Sequence, residues 1–138
     1  MKILYFGDPI GTTGETFEQE ATYVRRYLKD FIFGKKKFEF EATIDSMMPN
    51  EFLYDILIFD FGGIGLGCMG LVESLSRMIL KLIENKPNTL FIAWTHFTNE
   101  YLKNECEKEL GNYPNLICKD MDTEQFVDKI KKWINLTK

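Results

Sequence analysis

"YDILIFDFGGIGLGCMG", Tyr54 to Gly70, is the stretch on which the fold turns. Ile56 to Phe59 is apolar without alternation, as in a parallel strand covered on both faces. The run ends at an acid, Asp60, and five glycines follow between Gly62 and Gly70. Glycine lets a chain turn sharply off a buried strand and lets backbone come close to a ligand. Beyond them Val72, Leu75, Ile79, Leu82 and Ile83 recur at helical spacing, and Asn85 with Pro87 closes that helix. A buried strand, a tight turn and a crossover helix make half of a βαβ unit.

The same alternation of strand and helix extends in both directions. Lys2 to Phe6 forms a short apolar run before Gly7-Asp8-Pro9 and predicts the first strand. A helix is expected from about Glu15 to Phe31, with Phe17, Ala21, Val24, Leu28 and Phe31 on one face. Glu15, Glu18 and Glu20 lie near its start, where the helix dipole favours negative charge. Residues 37–44, "KFEFEATI", alternate strictly: Phe38, Phe40, Ala42 and Ile44 face one way, as on an edge strand. Residues 45–54, "DSMMPNEFLY", leave room only for a short helix or irregular loop.

Downstream, Thr89 to Trp94 is a second buried strand. Thr98 or Asn99 is placed to cap a helix carrying Leu102, Cys106 and Leu110. Leu116 to Cys118 is a short fifth strand. Asp122 with Gln125 has capping-box spacing, and Phe126, Ile130, Trp133 and Ile134 form the last apolar face. Five strands alternating with four or five helices predict one α/β domain over residues 1–138: a doubly wound, flavodoxin-like parallel sheet of order 2-1-3-4-5. In such sheets ligands bind outside the carboxyl ends of the strands, where the strand order reverses.

Bulk composition narrows the function. The chain has 138 residues, a formal charge of -4 and 45% hydrophobic residues. An acidic balance argues against a general nucleic-acid binder, which carries a basic stripe. Lys35-Lys36-Lys37 reads as a solvated turn with some scope for an anionic partner. No apolar stretch approaches the ~20 residues of a membrane span, and "MKILYFGDPIG" is short for a signal peptide. Cys68, Cys106 and Cys118 are odd in number and widely spaced. That pattern suits a reducing cytoplasm better than a disulfide framework or a zinc site.

The strand ends in order are Asp8, Asp60, Thr95 and Lys119. Here the chain resembles a response-regulator receiver domain. The resemblance implies Mg2+ held by Asp8 and Asp60, phosphoryl acceptance on Asp60, a switch hydroxyl at Thr95 and a charge partner at Lys119. The chemistry is coherent, because a carboxylate approaching phosphorus needs cations to offset crowded negative charge. The chain departs from the family at Gly7 and Pro9, which flank Asp8 in place of paired acids, and at Asp120, which follows Lys119 in place of proline.

A second resemblance points to flavodoxins. "GTTGET", Gly11 to Thr16, is similar to their phosphate loop at the start of the first helix. It implies FMN or another phosphate-bearing small molecule on Thr12, Thr13, Gly14 and Thr16, with Gly62 and Gly63 near a flavin ring. The same residues also suit a plain helix N-cap. Cys68 and the lone His96 form a weaker pair, since "GLGCMG" lacks the glycine spacing of a nucleophile elbow. A regulatory or binding domain, with or without Mg2+, and an interaction module for another protein or a second copy therefore both stand as expectations.

Overall fold

The structure, a computed structural model, describes residues 1–7, 17–44, 53–60, 80–94, 113–118 and 123–136. Five strands are present: β1 (Lys2–Gly7), β2 (Glu39–Ile44), β3 (Ile56–Asp60), β4 (Leu90–Trp94) and β5 (Leu116–Cys118). They form one all-parallel sheet in the order β2-β1-β3-β4-β5. Among the described residues the helices are α1 (Phe17–Tyr27), α2 (described over residues 80–85) and α3 (Thr123–Leu136). The chain is thus an α/β protein with the strand order expected from its sequence. Among the described residues no helix is long and apolar enough to cross a membrane.

Period-two alternation divides the strand residues between two apolar clusters. On the first face Ile3, Tyr5, Ile56, Ile58, Leu90, Ile92 and Trp94 pack with α1 and α3. On the second face Leu4, Phe6, Leu57, Phe59, Phe91 and Ala93 pack with Ile83 of α2 and with Tyr54. Both sides of β1, β3 and β4 are therefore dry, which is why these strands read as unbroken apolar runs. Among the described residues β2 has a neighbour only on the β1 side. Phe38, just before the strand, and Phe40 within it stack on Phe33 and Tyr5 at centroid distances of 4.6 and 6.5 Å. Ala42, expected on the same buried side, is exposed because that cover lies towards the start of the strand.

α1 departs from its sequence pattern in an instructive way. Ala21, Val24 and Leu28 are buried as the spacing predicts. The helix then widens into a π-turn over Leu28–Phe33, ended by Gly34, whose N–H donates to the Lys29 carbonyl five residues back at 2.8 Å. The wider turn moves the apolar stripe from Leu28 to Phe33. Phe33 is 7% exposed, whereas Phe31, expected on the buried face, is 50% exposed. Gly34 has φ +59°, a conformation that side-chain-bearing residues rarely adopt, so it suits the reversal into β2.

α3 follows its pattern closely. Phe126, Ile130 and Ile134 are buried, Trp133 is half-buried, and Val127 joins them. α2 ends at Asn85, where the sequence places the stop. The turn after it is clamped by Asn115, a buried residue before β5. Its Nδ2 donates to the carbonyls of Ile83, Lys86 and Thr89 at 3.0–3.1 Å, two N–H groups sharing three acceptors. Thr89 Oγ1 donates to the Tyr54 carbonyl at 3.2 Å, tying the same turn to the start of β3.

Candidate functional site

Parallel pairing gathers the strand ends at one edge. Phe59 of β3 lies in register with Phe6 of β1 and with Ala93 of β4. The next β3 residue, Asp60, pairs with Trp94, the last of β4. Gly7, the last of β1, lies one step beyond Phe6. Strand order reverses between β1 and β3, because β2 lies on one side of β1 and β3 on the other. Asp60 therefore ends a central strand at the switch point of the sheet, the usual place for a ligand in open α/β sheets.

Asp60 is the one expected site residue that lies within the described part of the chain. Asp8, Thr95 and Lys119 each follow the last residue of β1, β4 or β5 by one position. They lie outside the described residues, as do Thr12, Thr13, Gly14, Thr16, Gly62 and Gly63. Cys68, Cys106 and His96 also lie outside them. Among the described residues no three His, Cys, Asp or Glu side chains gather as a metal-binding group.

Beneath this edge is a feature that the sequence reading did not assign. Glu20 is a first-turn acid of α1, as expected, and it is also fully buried, at 0% exposure. The Tyr5 hydroxyl donates to its Oε2 at 3.2 Å. Tyr5 pairs with Ile58, two residues below Asp60 on β3, so this contact lies one pleat below the edge. The signal was available in the spacing, since Glu20 precedes Val24 by four residues and Tyr27 by seven. Acids near a helix start have a ready electrostatic role, and that reading hid the geometric one.

The same layer carries an aromatic cluster. Trp94 meets Tyr27 edge-on at 5.1 Å and 86°, Tyr23 at 6.2 Å and 72°, and Phe126 at 6.0 Å and 65°. Such edge-to-face pairs add to the stabilisation from burial. Trp94 thus joins α1 and α3 to the strand beside Asp60, which makes its fluorescence a local reporter of the edge.

The opposite, amino-terminal end of the strands has its own polar group. Asp55 Oδ2 accepts the Lys2 backbone N–H at 2.8 Å. The Tyr54 hydroxyl donates to Glu41, and Lys2 Nζ lies 3.8 Å from the other Glu41 oxygen and 5.2 Å above the Tyr54 ring. Burial, together with the Glu41 carboxylate, pushes the Tyr54 phenol up to about 12. This group joins β1, β2 and the start of β3, and it lies across the length of the sheet from Asp60. No protein-family model and no curated protein matches the chain.

Proposed function

We propose that the chain is a small regulatory domain of the cytoplasm, doubly wound and flavodoxin-like, that accepts a phosphoryl group on Asp60 in the manner of an atypical receiver. One observation carries the reading: Asp60 closes β3 at the switch point, between the ends of β1 and β4. Asp8, Thr95 and Lys119 each follow a strand end by one residue in sequence. Asp8 and Asp60 supply hard carboxylate oxygens, the donor type that Mg2+ takes. They are the residues that would hold it, and the ion would offset negative charge around the phosphoryl group. In the transfer, a carboxylate oxygen of Asp60 bonds to phosphorus as the bond from phosphorus to the donor's acyl oxygen breaks. The donor leaves as a carboxylate. Lys119 would attract the phosphoryl oxygens as a point charge, and Thr95 would donate a hydrogen bond to one of them.

The test is intact mass after incubation with Mg2+ and a small acyl phosphate. A gain of one phosphoryl group that is absent from Asp60→Asn supports the reading, and a change in Trp94 fluorescence should accompany it. No gain, or the same gain in Asp60→Asn, removes it. FMN is added in a parallel arm. Flavin binding that is lost in Thr13→Ala, with no phosphoryl gain, would assign the edge to a cofactor instead.

A further inference from the structure

At the other end of the strands, two neighbouring hollows share Met1, Lys36 and Lys37. The larger, about 1330 Å³, is bordered by Arg25, Arg26 and Lys29 of the first helix and its π-turn, and by Lys35, Lys36 and Lys37 of the turn into β2. All six are exposed. Lys2 also lines it, and Asp30, Glu39 and Asp55 are its acids. Cations thus outnumber acids by seven to three here, in a chain whose overall charge is -4. Among the described residues the ion pair is Lys2 with Glu41, and none involves the other six.

The smaller hollow, about 300 Å³, has a different character. Ile32, Phe33 and Ile134 give it an apolar floor, and Lys36, Lys37 and Lys131 form a basic rim. Its size is at the lower limit of ligand pockets, about 300–1,000 Å³, which suits one large side chain better than a cofactor. The π-turn builds both hollows at once. By carrying the apolar stripe to Phe33 it furnishes the floor, and it leaves Lys29 on the outer side with Arg25 and Arg26.

We infer that these hollows together dock a linear acidic peptide segment of a partner protein: one bulky apolar side chain enters the smaller hollow and carboxylates lie along the larger. Charge complementarity selects the class of partner and speeds encounter. The repulsion among clustered cations is relieved when carboxylates arrive. A nucleic-acid strand fits less well. Its evenly charged backbone would run against Asp30, Glu39 and Asp55, and the chain's net negative charge would oppose it at long range. A peptide can space its acids between those three. The surface lies at the far end of the strands from Asp60, so it does not depend on phosphoryl chemistry.

The experiment is fluorescence anisotropy with the full chain and a labelled peptide of glutamates and aspartates around a central phenylalanine. Binding should weaken as salt rises. Lys36→Glu combined with Lys131→Glu should lower affinity by about tenfold or more, and so should alanine at the peptide's central position. Lys81→Glu, an exposed change on α2 away from both hollows, and Asp60→Asn should leave it unchanged. Absence of binding, or binding indifferent to the paired lysine reversal, overturns the inference. A labelled single-stranded oligonucleotide or anionic phosphatidylserine vesicles binding more tightly than the peptide would overturn it in favour of that partner. Sedimentation without peptide covers the remaining occupant: a dimer broken by the same reversal would assign the surface to a second copy.

Discussion

On the face that carries α1 and α3, rings meet rings: Trp94 against Tyr27 and Phe126, and Phe33 against Phe38. On the face that carries α2, the described contacts include Ile83 among strand residues, with polar groups gripping backbone at the rim. Asn115 reaches three carbonyls there, and Tyr54 reaches Glu41. The first face is held by shape and apolar area, which scale with side-chain volume. The turn at the second face is held by donors whose removal takes a partner from each carbonyl they reach. Losses on the first face should therefore follow the size of the side chain removed, and losses at the second should follow the hydrogen bonds broken.

The largest effect belongs to Phe126→Ala. Phe126 is buried on α3 and touches both Trp94 and Tyr27. Truncating a buried phenylalanine costs about 3–5 kcal/mol. Urea unfolding should show that loss as a lower midpoint with little change in slope. A loss no greater than that of an exposed substitution would mean that α3 does not seat on the aromatic cluster.

Next comes a pair that tests the winding of the first helix. Phe33→Ala should cost about 3 kcal/mol, as a buried phenylalanine does. Phe31→Ala, half-exposed and resting on Tyr27 at 4.7 Å, should cost about 1 kcal/mol or less. The reverse order would restore an unbroken α-helix through Phe31 and remove the π-turn. It would also take away the floor of the smaller hollow.

That pair marks where the sequence was legible. Strand order followed from the unbroken runs Ile56–Phe59 and Leu90–Trp94 and the alternating run 37–44, because burial on two faces or one leaves a direct imprint on residue type. α3 was legible because Phe126, Ile130 and Ile134 keep a constant four-residue spacing. Phe31 was misplaced because spacing predicts burial only while the winding is constant, and the π-turn changes it. Glu20 was missed because charge was read before periodicity. Asn115 carried no periodic signal at all, since its bonds run to backbone 26 to 32 residues away. Of the candidate site, the sequence located the edge and the end of β3. The positions of Asp8, Thr95 and Lys119 relative to it are not written in any local pattern.

Asn115→Ala tests the second face. Loss of its Nδ2 leaves the Ile83, Lys86 and Thr89 carbonyls without that donor, at a cost of about 1–3 kcal/mol. Asn115→Asp keeps the volume and should be no better, because a carboxylate offers no donor to a carbonyl. If Asn115→Asp retained full stability, volume and not hydrogen bonding would hold this turn, and the contrast between the faces would fail.

The smallest effect is one of pH. Tyr54 titrates at about 12 in the folded protein, against an ordinary value of 10.0, chiefly because burial disfavours its anion and also because Glu41 lies beside it. The folded state therefore holds the proton more tightly than the unfolded chain does. Its contribution is complete below about 10 and is lost as pH rises through about 12, since the unfolded chain binds fewer protons in that window. Tyr54→Phe should lose a little stability near neutrality and then decline less steeply above pH 10. The Glu84 carboxylate likewise raises Tyr113, so the informative quantity is the difference between parent and variant, not the slope of either alone. Parallel curves through the window would mean that the Tyr54 proton is held no more tightly in the fold than outside it, and that its bond to Glu41 contributes nothing to joining β2 to the start of β3.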